Sequence, residues 1–191
     1  MASIFTHAVV GAALGAAGKS EWRRKPAYWF AVIFCSILPD IDVIGFGMGV
    51  RYADSWGHRG MTHSFVFAAF IAGATAIFID NSFAQRWKIA SLLFAITASH
   101  GLLDALTDGG LGVAFFSPFI TERYFFPWRP IHVSPIGAAA FFSTRGSRIL
   151  WGEILWVWIP ALVFAGVIWM LRSHQRRQVN ARTADPSLRS G

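Results

Sequence analysis

The sequence predicts an all-α, polytopic membrane helical bundle of about four to five spans. Three observations predict it. Of the 191 residues, 54% are hydrophobic and only 14% are charged, against about 25% charged in an ordinary soluble domain. The apolar residues fall into separate runs joined by polar loops. The basic residues gather at the ends of those runs: Lys19 with Arg23, Arg24 and Lys25; Arg86 with Lys88; Arg172 with Arg176 and Arg177. Nine tryptophans fit the same class, because the indole ring favours the membrane interface.

The first run, residues 4–18, is rich in small side chains and holds Gly11 and Gly15 in a GxxxG pair, which lets helices approach closely in lipid. It is shorter than the roughly 20 residues of a full span. Its positive charges follow the apolar stretch, the reverse of a signal peptide. A short or half-embedded, retained helix is expected. The second run, residues 27–50, is broken at LPDID, residues 38–42. The third covers 64–79, and the fourth, 89–106, carries His100 and Asp104. Residues 107–149 form a polar-aromatic connection with prolines at 118, 127, 130 and 135. The fifth and clearest run is 149–171. Residues 1–171 read as one membrane-embedded domain, and 172–191 as a basic, disordered cytoplasmic tail.

The positive-inside rule sets the orientation. With the basic tail in the cytoplasm, the turn at Arg86 and Lys88 and the loop from Lys19 to Lys25 also fall inside. The loop around Gly57 and the 107–149 connection then lie outside. The net charge of +7 does not indicate nucleic acid, because the cations cap apolar runs and form no basic stripe. The single cysteine, Cys35, excludes an intramolecular disulfide and a cysteine zinc cluster.

This orientation brings His7, Asp40, Asp42, His58, His63, His100 and Asp104 to one outer layer. A carboxylate within a bilayer span costs about 2.5–3.5 kcal/mol, so these acids call for a partner: a metal ion, water or arginine. His100 and Asp104 lie four apart on one helix face. Asp40 and Asp42 follow a helix-breaking proline and can turn to one centre. His58 and His63 sit in the glycine-containing stretch GHRGMTHSF, residues 57–65, which can bend around an ion. Imidazole with carboxylate suits zinc, manganese or iron. Seven candidates exceed one tetrahedral site and suffice for two ions, an arrangement suited to phosphoester hydrolysis.

Plainer roles compete residue by residue. His7 fits a hydrogen-bonded structural histidine as well as a ligand. Asp42 fits a helix cap or a partner for Arg59. Arg59 suits an anionic oxygen, Thr62 can orient a ligand, and Ser64 is expected to cap the third helix. His132 and His174 read as loop and tail residues, Asp108 as a turn residue, and Asp54 and Asp80 as loop or interface charges.

LPDID at 38–42, HRGMTHS at 58–64 and HGLLDALTDGG at 100–110 together resemble the YdjM-type family. FFSPFITERYFFPWRPIHVSP, residues 115–135, is similar to the stretch that follows the last ligand there, so the resemblance covers roughly residues 3–136. It implies an inner-membrane protein with a predicted metal-dependent hydrolase activity, in a family described as LexA-regulated. A wider similarity, in the order His, Asp, His, HxxxD, reaches the zinc-dependent phospholipase C and P1-nuclease group. This chain lacks a later HxxxE pair and a ligating mature terminus, so one or two ions are expected rather than three.

The expected function is therefore membrane-bound, metal-dependent hydrolysis, with zinc the leading ion, of a phosphoester or related ester in an amphiphilic lipid substrate. Arg59, with Arg123 or Arg129, would hold the phosphate, and Asp42 or Asp104 would accept the proton. The aromatic residues from Phe115 to Trp128 fit either an interfacial lip or an anchor. The competing reading is a non-catalytic metal-binding membrane stress or scaffold protein. A transporter is disfavoured because the polar residues stop on one side, and no GxSxG or nucleotide-binding loop is present.

Overall fold

The computed structural model describes residues 1–134 and 144–184. Helix α1, Ile4–Gly15, starts at Ser3, whose side chain accepts a hydrogen bond from the Thr6 amide. A single turn, α2 (Ser20–Arg23), leads to α3 (Pro26–Ile37), which opens on Pro26, where a missing amide proton costs nothing. At Pro39 the α-helical ladder loses a donor. The chain tightens there into a 3-10 turn, Leu38–Val43, and continues into α4, Ile44–Gly47. A second 3-10 turn, Met61–His63, precedes α5, Phe65–Ala76. Ser64 caps α5 as expected, its hydroxyl accepting from the Phe67 amide at 3.1 Å. Helix α6 runs over Phe83–Ala105. The C-terminal helix comprises α7 (Thr144–Glu153), a π segment (Ile154–Trp158) and α8 (Ile159–Ala184). Pro160 accounts for the π segment: it cannot donate to the carbonyl of Trp156 and crowds it, so the ladder shifts register just upstream.

Helices α1, α3 and α6 pack against one another, and α5 lies along α6. The GxxxG pair sits at the α1–α3 contact. A Cβ on Gly11 would come within 2.5 Å of Ser36 Cβ, and one on Gly15 within 2.9 Å of Val32. Small residues at Ala68, Ala72 and Ala76 let α5 pack along α6, and all three are buried. The main core joins Tyr28, Val32 and Cys35 to Ile89, Leu93 and Ile96.

Among the described residues, two stretches are long and apolar enough to cross a membrane, Pro26–Gly47 and Gly146–Gln178. Only 6% of the most apolar window of the second is buried within the protein, so its greasy surface is free to meet lipid. Helices α1 and α5 have 12 residues each, about 18 Å of rise against a hydrocarbon core of about 30 Å. Helix α6 is longer but carries Arg86, Lys88, His100 and Asp104. The tail departs from expectation: α8 continues to Ala184, because residues 172–184 lack an internal helix breaker and extend an existing ladder. Residues 185–191 of that tail, and 135–143 of the long connection, lie outside the described residues.

The loops sort to two ends. At one, Lys25 meets Asp80 at 3.8 Å, Lys19 donates to Gln85 at 2.8 Å, and Arg172 donates to the carbonyls of Ala16, Ala17 and Gly18. At the other end lie the two 3-10 turns, the 51–63 loop and residues 105–134.

Candidate metal centre

Four elements supply the centre. Helix α1 brings His7, the Leu38–Val43 turn brings Asp40 and Asp42, the 57–63 loop brings His58 and His63, and α6 brings His100 and Asp104. All but Asp40 are buried, and Asp40 is nearly so. One ligand atom each from Asp40, His63, His100 and Asp104 lies within 4.8 Å of the other three. His100 Nε2 is 3.2 Å from Asp40 Oδ1. His63 Nε2 is 3.7 Å from the same oxygen and 3.6 Å from Asp104 Oδ2. Four ligands about 2.0–2.1 Å from a tetrahedral zinc would stand about 3.3 Å apart, so these separations fit an ion at their midst.

The hydrogen bonds that are missing make the same point. Buried polar groups normally find partners, yet both Asp40 oxygens and the Nε2 atoms of His7, His58, His63 and His100 have none. Their other contacts aim them. His100 Nδ1 donates to the Ser36 carbonyl at 2.8 Å. A carbonyl only accepts, so the lone pair of neutral His100 is on Nε2 and faces the centre. His58 Nδ1 pairs with Asp42 Oδ1 at 2.8 Å, which directs its Nε2 away from that carboxylate. Burial works against charge on His63, but the neighbouring Asp104, Asp40 and Asp42 carboxylates outweigh it and hold its pKa well above the usual value. The centre is thus an anionic pocket that favours a cation.

A second group, Asp42, His58 and His63, shares His63 with the first. His7 stands beside the tetrad: its ring stacks on His100 with centroids 3.5 Å apart, and its Nε2 is 3.5 Å from Asp104 Oδ1. The structure therefore brings all seven expected ligands together, four of them in the tighter set.

Arg59 is placed differently from the expected anion contact. Its side chain is fully buried. Nε donates to Asp104 Oδ2 at 3.0 Å, Nη1 to the Gly109 carbonyl at 2.8 Å and Nη2 to Thr107 Oγ1 at 2.8 Å. Gly110, at φ +90°, lies against it, and a Cβ there would come within 2.8 Å of Nη1. Packing of the DGG turn onto the guanidinium draws it inward to a ligand carboxylate. Asp42 does meet Arg59, through the Arg59 amide at 3.3 Å, and accepts from Thr62 Oγ1 at 2.6 Å. Arg123 is also engaged, donating to the carbonyls of His58, Tyr52 and Asp54, so it staples the 51–59 loop. Arg129 lies over the Phe125 ring. His132 and Asp108 pair with each other at 2.7 Å, and His174 is exposed on α8. Phe116, Phe119, Phe126 and Trp128 present an exposed apolar collar.

Sequence reasoning passed over Glu153. It is fully buried and accepts hydrogen bonds from the Ser3 amide, Ser3 Oγ and Thr6 Oγ1. Trp158 Nε1 donates to the same Thr6 hydroxyl at 2.7 Å. The C-terminal helix is thereby fastened to the first turn of α1, next to His7. The signal was available: an acid inside an otherwise apolar run is expensive and seldom idle.

Fold and site define an all-helical protein with two candidate membrane spans and a buried histidine–aspartate cluster able to hold a metal ion. The chain belongs to the family described as YdjM inner membrane protein, which it matches over residues 1–176. It is 37% identical over 174 residues to Inner membrane protein YbcI of Escherichia coli (strain K12), covering 90% of this chain and 99% of that relative. No solved structure matches it.

Proposed function

We propose that this protein is a membrane-bound metal-dependent hydrolase, with Asp40, His63, His100 and Asp104 holding one divalent ion, zinc foremost. The observation that carries the reading is the convergence of buried, unpartnered nitrogen and oxygen atoms on one spot. When bound there, the ion supplies Lewis-acid polarisation of an ester or phosphoryl oxygen. Arg59 Nε donates to Asp104 Oδ2 and the Ala2 amide donates to Oδ1, so both oxygens of that carboxylate are held in place. Asp42 orients His58, and the unpartnered His58 Nε2 takes the proton from attacking water. Asp42 thus acts through His58, and Arg59 through Asp104. With four to five passes, counting the short α1 and α5, and the basic end taken as cytoplasmic by the positive-inside reading, the centre would face the periplasm and the apolar collar at 116–128 would meet the headgroup layer. A phosphoester or related ester of an amphiphilic lipid fits that location.

Elemental analysis and a panel of phospholipid and soluble phosphoesters test this. Wild-type protein is expected to carry one ion per chain, lost on chelation. His63→Ala, His100→Ala and Asp104→Ala are expected to lose it, whereas His174→Ala keeps it. Metal-free wild-type protein overturns the centre. Metal with no hydrolysis on any substrate overturns the enzyme and leaves a structural metal protein. Two ions per chain reassign Asp42 and His58 to a second ion.

A further inference from the structure

At the end of the bundle opposite the histidine–aspartate centre, a cavity of about 390 Å³ opens between α2, with Lys19 just before it, and α8. Lys19, Arg23, Arg172 and Arg176 line it, with a single acid, Glu21. Like charges repel in the absence of a counter-anion, yet Arg23 and Arg176 make no ion pair among the described residues. Arg23 adds a second observation: its Nε is buried and without a hydrogen-bond partner. Arg172 holds the rim in place, because its guanidinium closes the carbonyl end of α1.

The neighbouring cavity, about 210 Å³, shares Arg23, Arg172 and Arg176 and is walled by Ile168 and Trp169. Trp169 is 69% exposed. The basic cup therefore runs into an apolar groove along a candidate membrane span. A free anion would use only the cup. A molecule with an anionic head and an acyl chain uses both.

We propose that this cleft binds the headgroup of an anionic phospholipid, with its phosphodiester among Arg23, Arg172 and Arg176 and one acyl chain along Ile168 and Trp169. Basic pockets between membrane helices take anionic headgroups by this charge complementarity. The inference is independent of the hydrolase reading, since no residue of the metal centre takes part. A lipid seated here joins α1 to α8 at the end where Glu153 does not reach.

Native mass spectrometry of the purified full chain is the test, with titration by phosphatidylglycerol, phosphatidylcholine or inorganic phosphate. Wild-type protein is expected to retain phosphatidylglycerol selectively. The double variant Arg23→Gln, Arg176→Gln leaves Arg172 on its carbonyls. It is expected to bind about 25-fold more weakly, roughly a factor of five per cation removed near an anionic surface. Lys88→Gln, an exposed cation elsewhere, is expected to bind as wild type. Circular dichroism of the double variant separates lost binding from lost fold. If that variant unfolds, Trp169→Ala replaces it and is expected to weaken phosphatidylglycerol binding severalfold. Equal retention of phosphatidylcholine overturns the proposal. So does displacement of the lipid by inorganic phosphate, or undiminished binding by a folded variant.

Discussion

At Arg59 the backbone takes φ 65°, a left-handed conformation that costs a non-glycine residue about 1–2 kcal/mol. Contacts on both sides hold it there: its amide donates to Asp42 and its carbonyl accepts from Ala114. The twist lets one residue serve two carboxylates, Asp42 with its amide and Asp104 with its guanidinium. Lysine would keep the charge but could not reach Asp104, Gly109 and Thr107 together. Arg59→Lys is therefore expected to weaken metal binding by about 10–100-fold, as changes to groups that hold metal ligands do. A metal-binding isotherm beside turnover checks this. Full metal affinity with lowered turnover would restore the substrate-anion role. The seven ligand candidates were legible from chemistry and spacing alone, because acids and imidazoles are rare and costly in apolar sequence. The inward turn of Arg59 was not. It depends on the 107–110 turn folding back over the 57–60 loop, a contact some 50 residues away along the chain that no local pattern encodes.

At the scale of elements, the apolar runs located the main helices, and LPDID located the break, because proline acts locally on the ladder. Ends were harder to place. Helix α6 begins at Phe83, ahead of its apolar stretch, since Gln85, Arg86 and Lys88 are good helix formers that reach the bundle's basic end. Helix α8 outruns its apolar stretch for the same reason. Docking of the C-terminal helix was invisible from hydropathy, because it depends on Glu153 finding three donors at the start of α1. Glu153→Leu would strand the Ser3 amide, at about 1–3 kcal/mol for a buried group left without a partner, and would take the shared acceptor from the Ser3 and Thr6 hydroxyls. The leucine variant is expected to unfold at a markedly lower temperature in detergent and to hold metal less tightly, because His7 and the Ala2 amide lie beside that turn. Glu153→Gln keeps an acceptor and is expected to fall between it and wild type. Thermal unfolding of the three proteins with and without chelator reads both effects, and equal midpoints would dismiss the clasp.

Across the whole molecule, the two ends of α1 are chemically opposed. Its first turns stand among imidazoles and carboxylates, and its last carbonyls face a basic cleft. Lys19, Arg23, Arg24, Lys25, Arg86, Lys88, Arg172, Arg176 and Arg177 belong to that second end, on helix ends and the short turns between them, where positive charge opposes translocation. The arginines of the first end are largely engaged. Arg51 pairs with Asp54 at 3.0 Å, and Arg123 is bound to loop carbonyls. The free positive charge is therefore more one-sided than the sequence count suggests. From this asymmetry the basic end is expected in the cytoplasm and the metal centre on the far side. Reporter fusions at Asp54 and Arg182 are expected to sit in opposite compartments, with Arg182 inside. Placing both fusions on one side would remove the crossing by α8 and with it the periplasmic placement of the centre. Opposite compartments with Asp54 inside would turn the molecule over, keep the metal cluster intact, and require a substrate from the cytoplasmic leaflet.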